Sequence, residues 1–307
     1  MKKLTFLIII TFLFFGCADN KKKVKTEQQK QEESMKILAQ EMNELIANTR
    51  KKLVKVWETD TVMTTSESVL YDDDRRILYV ANINGVSTEK DGNGFISQLS
   101  TSGEVKKLKW VTGLDAPKGM GRFGNKLYVT NITEIAEIDI ETAKITNRYT
   151  IEGATFMNDI TVDKTGVVYV SDSFANKIYQ LKDGKLSIWL ENDLNKPNGL
   201  YIEGNRMLVA SWGAKNLRSI SLKTKKITDL VTEIGDGDGI VPVNNSTYLV
   251  SSWSGAVYFI NSKLEKQEVL NTQKEQISSA DIEFVKSEKL LLVPTFGTNT
   301  VVAYKLQ

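Results

Sequence analysis

The chain has 307 residues, 41% hydrophobic and 25% charged, which is the composition of an ordinary globular protein. Its 40 lysines and arginines are matched by 38 aspartates and glutamates, so charge gives no reason to expect a nucleic-acid partner. There is no histidine and a single cysteine, which excludes a Ser-His-Asp triad, histidine general bases, histidine-bound metals and a disulfide within one chain.

The chain begins with a leader typical of an exported protein. Two lysines precede an apolar run over residues 4–15, which suits a signal peptide and is too short for a membrane-spanning helix. Gly16 and Cys17 follow, and this ending resembles a bacterial lipoprotein signal, in which the cysteine is lipidated. We therefore expect a signal peptide over residues 1–16, a lipid anchor on Cys17 and a location in a bacterial envelope, on the periplasmic or cell-surface side. An ordinary cleaved signal is the alternative.

Residues 17–52 form a segment that is polar at first and then helical in pattern. Met35, Leu38, Met42 and Leu45 are spaced by three, four and three residues, which predicts the apolar face of an amphipathic helix. Two heptads are fewer than the three or four that would indicate a coiled coil. We expect a lipidated tether followed by this short helix.

From residue 53 onward the sequence is a repeat of about 40 residues. Each unit begins with one residue before a run that alternates apolar and polar side chains, and we call these residues the ring positions. They are Glu67, Lys118, Asn158, Asn198, Asp238 and Ala280. A second and a third apolar run follow in every unit, and a fourth in five of the six. Four strands in a unit of this length predict a propeller blade.

The sixth unit lacks a fourth strand, and the N-terminal segment offers one. Residues 53–60, LVKVWETD, are similar to the fourth strands of other units. Pairing this segment with the end of the chain would close the ring and remove two exposed sheet edges. The sequence therefore predicts an all-β fold, a six-bladed β-propeller of four-stranded blades over residues 53–307, closed by an N-terminal strand.

The ring positions predict a metal site at one end of the propeller axis. The innermost strands line the central channel, so residues at their beginnings converge. Glu67 and Asp238 offer carboxylates, Asn158 and Asn198 offer amide oxygens, and the two negative charges balance a divalent cation. With no histidine, and with the cysteine assigned to the anchor, the ligands must be oxygen atoms, which favours Ca²⁺ first and Mg²⁺ second. The alternative is that these residues are turn formers that cap loops.

Four motifs carry the proposed ligands: SESVLYD at Glu67, MNDITVD at Asn158, KPNGLYI at Asn198 and GDGIVPV at Asp238. They match, in order, the places where the gluconolactonase, regucalcin and luciferin-regenerating-enzyme family holds a catalytic calcium, and the chain resembles this family over about residues 53–307. The resemblance implies a calcium-dependent hydrolase of a lactone or ester. Phe156 stands where sugar-lactone hydrolases of the family commonly carry an arginine, which weakens a sugar-lactone assignment.

This hypothesis gives roles to further residues. Calcium would polarise the substrate carbonyl and lower the pKa of a bound water, while Asp238 or Asp159 takes a proton. Lys118 would stabilise developing negative charge or bind a substrate carboxylate, and a solvated lysine at the channel mouth is the alternative.

The candidates for substrate contact are Lys118, Phe156, Trp212 and Trp253. The alternative for the two tryptophans is packing between blades. We expect a monomer that acts on a small molecule. The competing function is a non-enzymatic exported propeller, with structural calcium, that binds a protein or small ligand.

Overall fold

The computed structural model describes residues 29–41 and 50–307. Residues 29–41 form a helix, in agreement with the predicted short helix, and Met35 and Leu38 lie within it with exposed side chains. The predicted signal peptide, Cys17, Met42 and Leu45 lie outside the described residues, so the anchor, the envelope location and the full apolar face stay predictions. Among the residues that the structure describes, no helix is long and apolar enough to cross a membrane.

A separate compact unit, Lys51–Gln307, consists of six four-stranded antiparallel sheets. Blade 1 contains β2 (Ser66–Asp72), β3 (Ile77–Asn82), β4 (Gly94–Ser100) and β5 (Val105–Leu114). Blade 2 contains β6 (Pro117–Phe123), β7 (Lys126–Asn131), β8 (Glu134–Asp139) and β9 (Lys144–Thr150). Blade 3 contains β10 (Met157–Val162), β11 (Val168–Asp172), β12 (Lys177–Lys182) and β13 (Lys185–Leu190).

The remaining blades follow the same order, and the last one joins the two ends of the unit. Blade 4 contains β14 (Pro197–Glu203), β15 (Arg206–Ser211), β16 (Asn216–Ser221) and β17 (Ile227–Thr232). Blade 5 contains β18 (Gly237–Asn244), β19 (Thr247–Ser252), β20 (Ala256–Ile260) and β21 (Lys266–Asn271). Blade 6 contains β22 (Glu283–Val285), the 3₁₀ turn Lys286–Glu288, β23 (Leu290–Pro294), β24 (Val301–Leu306) and, as its outermost strand, β1 (Leu53–Glu58).

The strand β1 runs antiparallel to β24, with Leu53 opposite Leu306 and Glu58 opposite Val302. The N-terminal strand thus supplies the fourth strand of blade 6, which covers the edge that β24 would otherwise expose. The predicted six-bladed propeller of four-stranded blades, with its closing strand, is confirmed.

The hydrophobic core lies between the blades. In β3, Tyr79 and Ala81 pack in a cluster shared with blade 2, whereas Leu78 and Val80 pack in a cluster shared with blade 6. Side chains of a strand point alternately to its two faces, and here both faces are covered by neighbouring blades. This explains why the second strand of each unit is a continuous apolar run.

Five innermost strands have a β-bulge where they begin. The pairing register shifts between Ser66 and Ser68, Pro117 and Met120, Met157 and Ile160, Pro197 and Leu200, and Gly237 and Ile240. Each of these short segments contains a ring position. Because a bulge interrupts the regular alternation of side chains, it can re-aim a residue toward the end of the channel, and bulges are common next to functional sites.

Candidate metal and substrate site

One cavity brings most of the residues predicted from the repeat together. Its lining includes the ring residues Glu67, Lys118, Asn158, Asn198 and Asp238. The cavity has a volume of about 180 Å³ and an open mouth, so it admits a small molecular group. The three aromatic residues predicted for substrate contact line the same cavity.

The two carboxylates of the ring are buried close together. Burial raises the pKa of Glu67 well above its ordinary value, and repulsion from Asp238 and Asp281 adds to this, while Lys118 acts in the opposite direction. Burial and the charge of Asp281 likewise raise the pKa of Asp238 well above its ordinary value. A cluster whose negative charge is disfavoured in this way gains from a compensating cation.

Two buried oxygen atoms of the ring have no hydrogen-bond partner among the described residues. They are Oε2 of Glu67 and Oδ1 of Asn198. The side-chain amide nitrogen of Asn198 donates to Oδ1 of Asp238 at 3.1 Å, whereas the side-chain oxygen of Asn198 accepts no hydrogen bond from the described residues. An unpaired buried acceptor costs about 1–3 kcal/mol. Carboxylate and amide oxygens are the ligands that calcium prefers, and one of each is unpaired here, so the residues fit this ion.

Lys118 is buried at the edge of the ring, with 1% of its surface exposed. Its Nζ donates to the main-chain oxygens of Ser87 at 2.9 Å and Ala116 at 3.1 Å, and lies 4.5 Å from the centroid of the Phe156 ring. Burial lowers the pKa of Lys118 to about 8, against the attraction of Glu67. A buried ammonium group that is held by two carbonyl oxygens is not the solvated lysine of the alternative interpretation.

Asp159 lies in a different place from the one that its predicted role requires. Its carboxylate accepts hydrogen bonds from the backbone nitrogens of Ile160 and Leu200, both at 2.6 Å. It lines the central channel together with Asp281, whereas Asp238 lines the cavity that contains the aromatic residues. Burial and the charge of Asp281 raise the pKa of Asp159 well above its ordinary value. This position argues against Asp159 as the group that takes a proton from water, and the same role for Asp238 stays a prediction.

A second layer of residues follows the ring positions by one residue, and of these the sequence analysis named only Asp159. It comprises Ser68, Gly119, Asp159, Gly199, Gly239 and Asp281. Glycine is required where neighbouring innermost strands approach closely, since a Cβ on Gly119 would lie 2.5 Å from the Cα of Asp159. Asp281 accepts a hydrogen bond from Oγ of Ser68 at 2.7 Å, and burial raises its pKa to about 7. The repeat could have indicated it, because Asp281 follows Ala280 as Asp159 follows Asn158.

Two aromatic residues of the cavity, Phe174 and Phe296, were also missed. Phe296 follows Thr295, which is the counterpart in the repeat of Ser211 and Ser252, the residues that directly precede Trp212 and Trp253. Because Phe296 has the same place in the repeat as the two tryptophans, the repeat could have indicated it. In blade 3 the residue at this place in the repeat is Ser173, and Phe174 is the next residue. The spacing of the repeat gave no reason to select it.

Another group of carboxylates, Asp72–Asp74, lies apart from this cavity. Arg122 pairs with Asp73 at 2.9 Å and with Asp74 at 2.7 Å, and Arg75 pairs with Asp72 at 3.1 Å. Because guanidinium groups already balance these charges, we interpret the cluster as a structural ion-pair network.

Comparisons with known proteins give the class of the chain. No family model and no curated protein sequence matches it. Among solved structures, a gluconolactonase from Xanthomonas campestris is 15% identical with a TM-score of 0.64, over 84% of this chain and 90% of that one. A streptogramin B lyase is 14% identical with a TM-score of 0.61, over 84% and 98%. A chain of the nidogen/laminin complex is 16% identical with a TM-score of 0.57, over 69% and 81%.

These similarities and the strand order define the chain as a six-bladed β-propeller. Its structural neighbours include gluconolactonases, as the motifs led us to expect. At these identities the likeness extends to the fold alone, and propellers serve enzymes and binding proteins alike.

Proposed function

We propose that the chain is a calcium-dependent hydrolase that opens a lactone or an ester with a metal-activated water. The observation that supports this most strongly is a group of four buried oxygen-bearing residues in one open cavity, two of whose acceptor oxygens are unpaired: Glu67, Asn158, Asn198 and Asp238. The similarity of the fold to that of a gluconolactonase is compatible with this proposal.

The residues of the ring divide the work of such a reaction. A calcium ion would be held by Glu67, Asn158, Asn198 and Asp238. It would polarise the substrate carbonyl and lower the pKa of a bound water. The hydrogen bond from Asn198 orients the carboxylate of Asp238, which would take a proton in this reaction. Two of the three N–H groups of Lys118 are used by Ser87 and Ala116, which leaves one for negative charge that develops on the carbonyl oxygen.

The test is an assay of the full-length protein, solubilised in detergent, on a series of lactones and aryl esters. We expect turnover that requires calcium, stops in excess chelator and returns when calcium is added. Asp238→Ala removes a ligand and the proton acceptor together, so kcat/KM should fall by a factor on the order of 100 or more. Asp236→Ala is the matched control, because Asp236 is a nearby carboxylate outside the ring, 4.0 Å from Lys215.

Turnover that persists both in chelator and in Asp238→Ala would contradict the proposal. Calcium-dependent stabilisation with no turnover of any lactone or ester would favour the non-enzymatic alternative, in which the ion is structural and the cavity binds a ligand.

A further inference from the structure

The wall of the cavity is unusually aromatic. Five of its lining residues are aromatic, whereas aromatic residues make up 8% of the chain. They are Phe156, Phe174, Trp212, Trp253 and Phe296, and we call them the aromatic arc. They come from blades 3 to 6 in succession, so the arc follows the circumference of the cavity.

The rings of the arc contact one another in two groups. Phe156 stacks on Phe174, with centroids 4.5 Å apart and planes inclined by 24°, and Trp212 adjoins Phe174 at 6.5 Å. Trp253 and Phe296 form an edge-to-face pair at 5.7 Å. Such contacts fix the ring orientations before a ligand arrives.

The backbone also holds the arc in place. The amide nitrogen of Trp212 donates to the carbonyl oxygen of Lys196 at 3.0 Å, and that of Trp253 donates to the carbonyl oxygen of Asp236 at 2.9 Å. Both bonds connect the end of a second strand to the segment that leads into the innermost strand of the same blade. A wall fixed in this way binds an apolar group without first having to become ordered.

The arc leaves apolar surface uncovered at the mouth. Phe174 is 48% exposed and Trp253 is 41% exposed. An aryl or alkyl group placed against them would remove apolar surface from water, which is favourable. A polyhydroxylated lactone can stack only its C–H face on a ring, and each hydroxyl group that meets a ring face loses hydrogen bonds to water, which is unfavourable.

We propose that the aromatic arc binds the aryl or alkyl body of the substrate and discriminates against polyhydroxylated sugar lactones. This inference rests on the proposed function for the placement of the reacting carbonyl at the ring. The binding preference itself can be measured without turnover.

The test is calorimetric titration of the full-length protein, with calcium present, against two non-hydrolysable lactams of equal ring size. One lactam carries a phenyl substituent and the other is the lactam of gluconic acid. We expect the phenyl lactam to bind at least about tenfold more tightly, and Trp212→Ala and Trp253→Ala each to weaken its binding by roughly tenfold. Melting temperatures show whether each variant folds. Phe174→Leu changes a half-exposed side chain, so it is the milder variant if a tryptophan variant does not fold.

Phe123→Ala is the matched control, because Phe123 is 43% exposed at the far end of β6 and packs near Gly166. It should leave both affinities unchanged. Equal affinities for the two lactams, tighter binding of the gluconic lactam, or an equal loss in Phe123→Ala would overturn the inference. If the phenyl lactam is preferred while no lactone or ester is hydrolysed, the arc stands and the proposed reaction fails. If glucono-lactone is hydrolysed as well as a phenyl lactone, the arc fails and the reaction stands.

Discussion

At the scale of single residues, the buried carboxyl groups around the channel govern one another's charge. Asp281 lies behind the ring and raises the pKa of Glu67, Asp159 and Asp238. Burial raises its own pKa to about 7. All four groups therefore hold protons at a higher pH in the folded protein than in the unfolded chain, where aspartate and glutamate titrate near pH 4.

This arrangement predicts how the stability of the metal-free protein depends on pH. A group whose pKa is raised by folding contributes stability that is complete below its unfolded pKa and is lost as the pH rises through its folded pKa. For Asp281 that loss begins near its unfolded pKa of about 4, continues through pH 6 and levels off above a pH of about 7. We expect the melting temperature in excess chelator to fall by roughly 3–6 °C between pH 6 and pH 8, as measured by calorimetry at constant ionic strength.

Burial also raises the pKa of Glu67, Asp159, Asp238 and Glu283, so these groups change the stability in the same direction as Asp281. Hydrogen bonds and ion pairs lower the pKa of Glu137 and Glu203, so the stability that these groups contribute changes only in more acidic solution. Burial lowers the pKa of Lys118 to about 8, so this group increases the free energy of unfolding only as the pH rises above that value. Asp281→Asn keeps an acceptor for Ser68 and should flatten the dependence. A melting temperature that does not change between pH 6 and pH 8 would contradict the prediction.

The repeat in the sequence identified the ring residues because each blade supplies one of them at a fixed place. It could not separate Asn158 from Asp159, which are neighbours in a β-bulge yet line different cavities. Such a separation depends on the pairing register and on the distance between innermost strands, which no spacing along one chain reveals. The burial of Lys118 was hidden for the same reason, since its partner Ser87 belongs to the preceding blade's loop.

At the scale of secondary-structure elements, β1 connects blade 6 to blade 1 through one side chain. Trp57 packs against the cluster that blades 1 and 6 share, and its Nε1 donates to the main-chain oxygen of Thr101 at 3.0 Å. The turn that receives it contains Gly103, where a Cβ would lie 2.7 Å from the indole ring. The sequence predicted that this strand closes the ring but not the bulge between Lys55 and Trp57, which sets its register.

We predict that Trp57→Ala destabilises the propeller by about 2–3 kcal/mol, because it removes a half-buried ring and leaves the oxygen of Thr101 without its donor. Denaturant unfolding followed by circular dichroism measures the change. Val54→Ala, an exposed position opposite Lys305 in the same strand, is the control and should change the stability by less than about 0.5 kcal/mol. Equal losses in the two variants would show that Trp57 does not hold the closure.

At the scale of the whole molecule, the proposed ligands come from four of the six blades. Glu67 belongs to blade 1, Asn158 begins blade 3, Asn198 blade 4 and Asp238 blade 5. An ion bound to all four residues would hold together strands that are far apart in sequence. These strands are neighbours only while the propeller is closed. Binding to the folded state alone adds stability to the entire cooperative unit.

We therefore predict that calcium raises the melting temperature of the full-length protein. At a concentration 100 times the dissociation constant the gain is about 2.7 kcal/mol, which corresponds to roughly 5–10 °C for a domain of this size. The gain should be larger at pH 8 than at pH 6, because the raised pKa values of Glu67 and Asp238 make the ion compete with protons at the lower pH.

Two comparisons make this effect specific to the ring. Magnesium at the same concentration should stabilise less, because it demands a nearly ideal octahedral set of ligands, which two carboxylates and two amides on four separate blades are poorly able to adopt. Asp238→Asn keeps the shape of the side chain but removes one of the two charges, so the calcium-induced shift should shrink while Asp236→Asn leaves it intact. If the melting temperature at pH 8 is the same in millimolar calcium and in chelator, calcium does not bind at the ring positions. That result would also contradict the metal-dependent hydrolysis that we propose for the cavity.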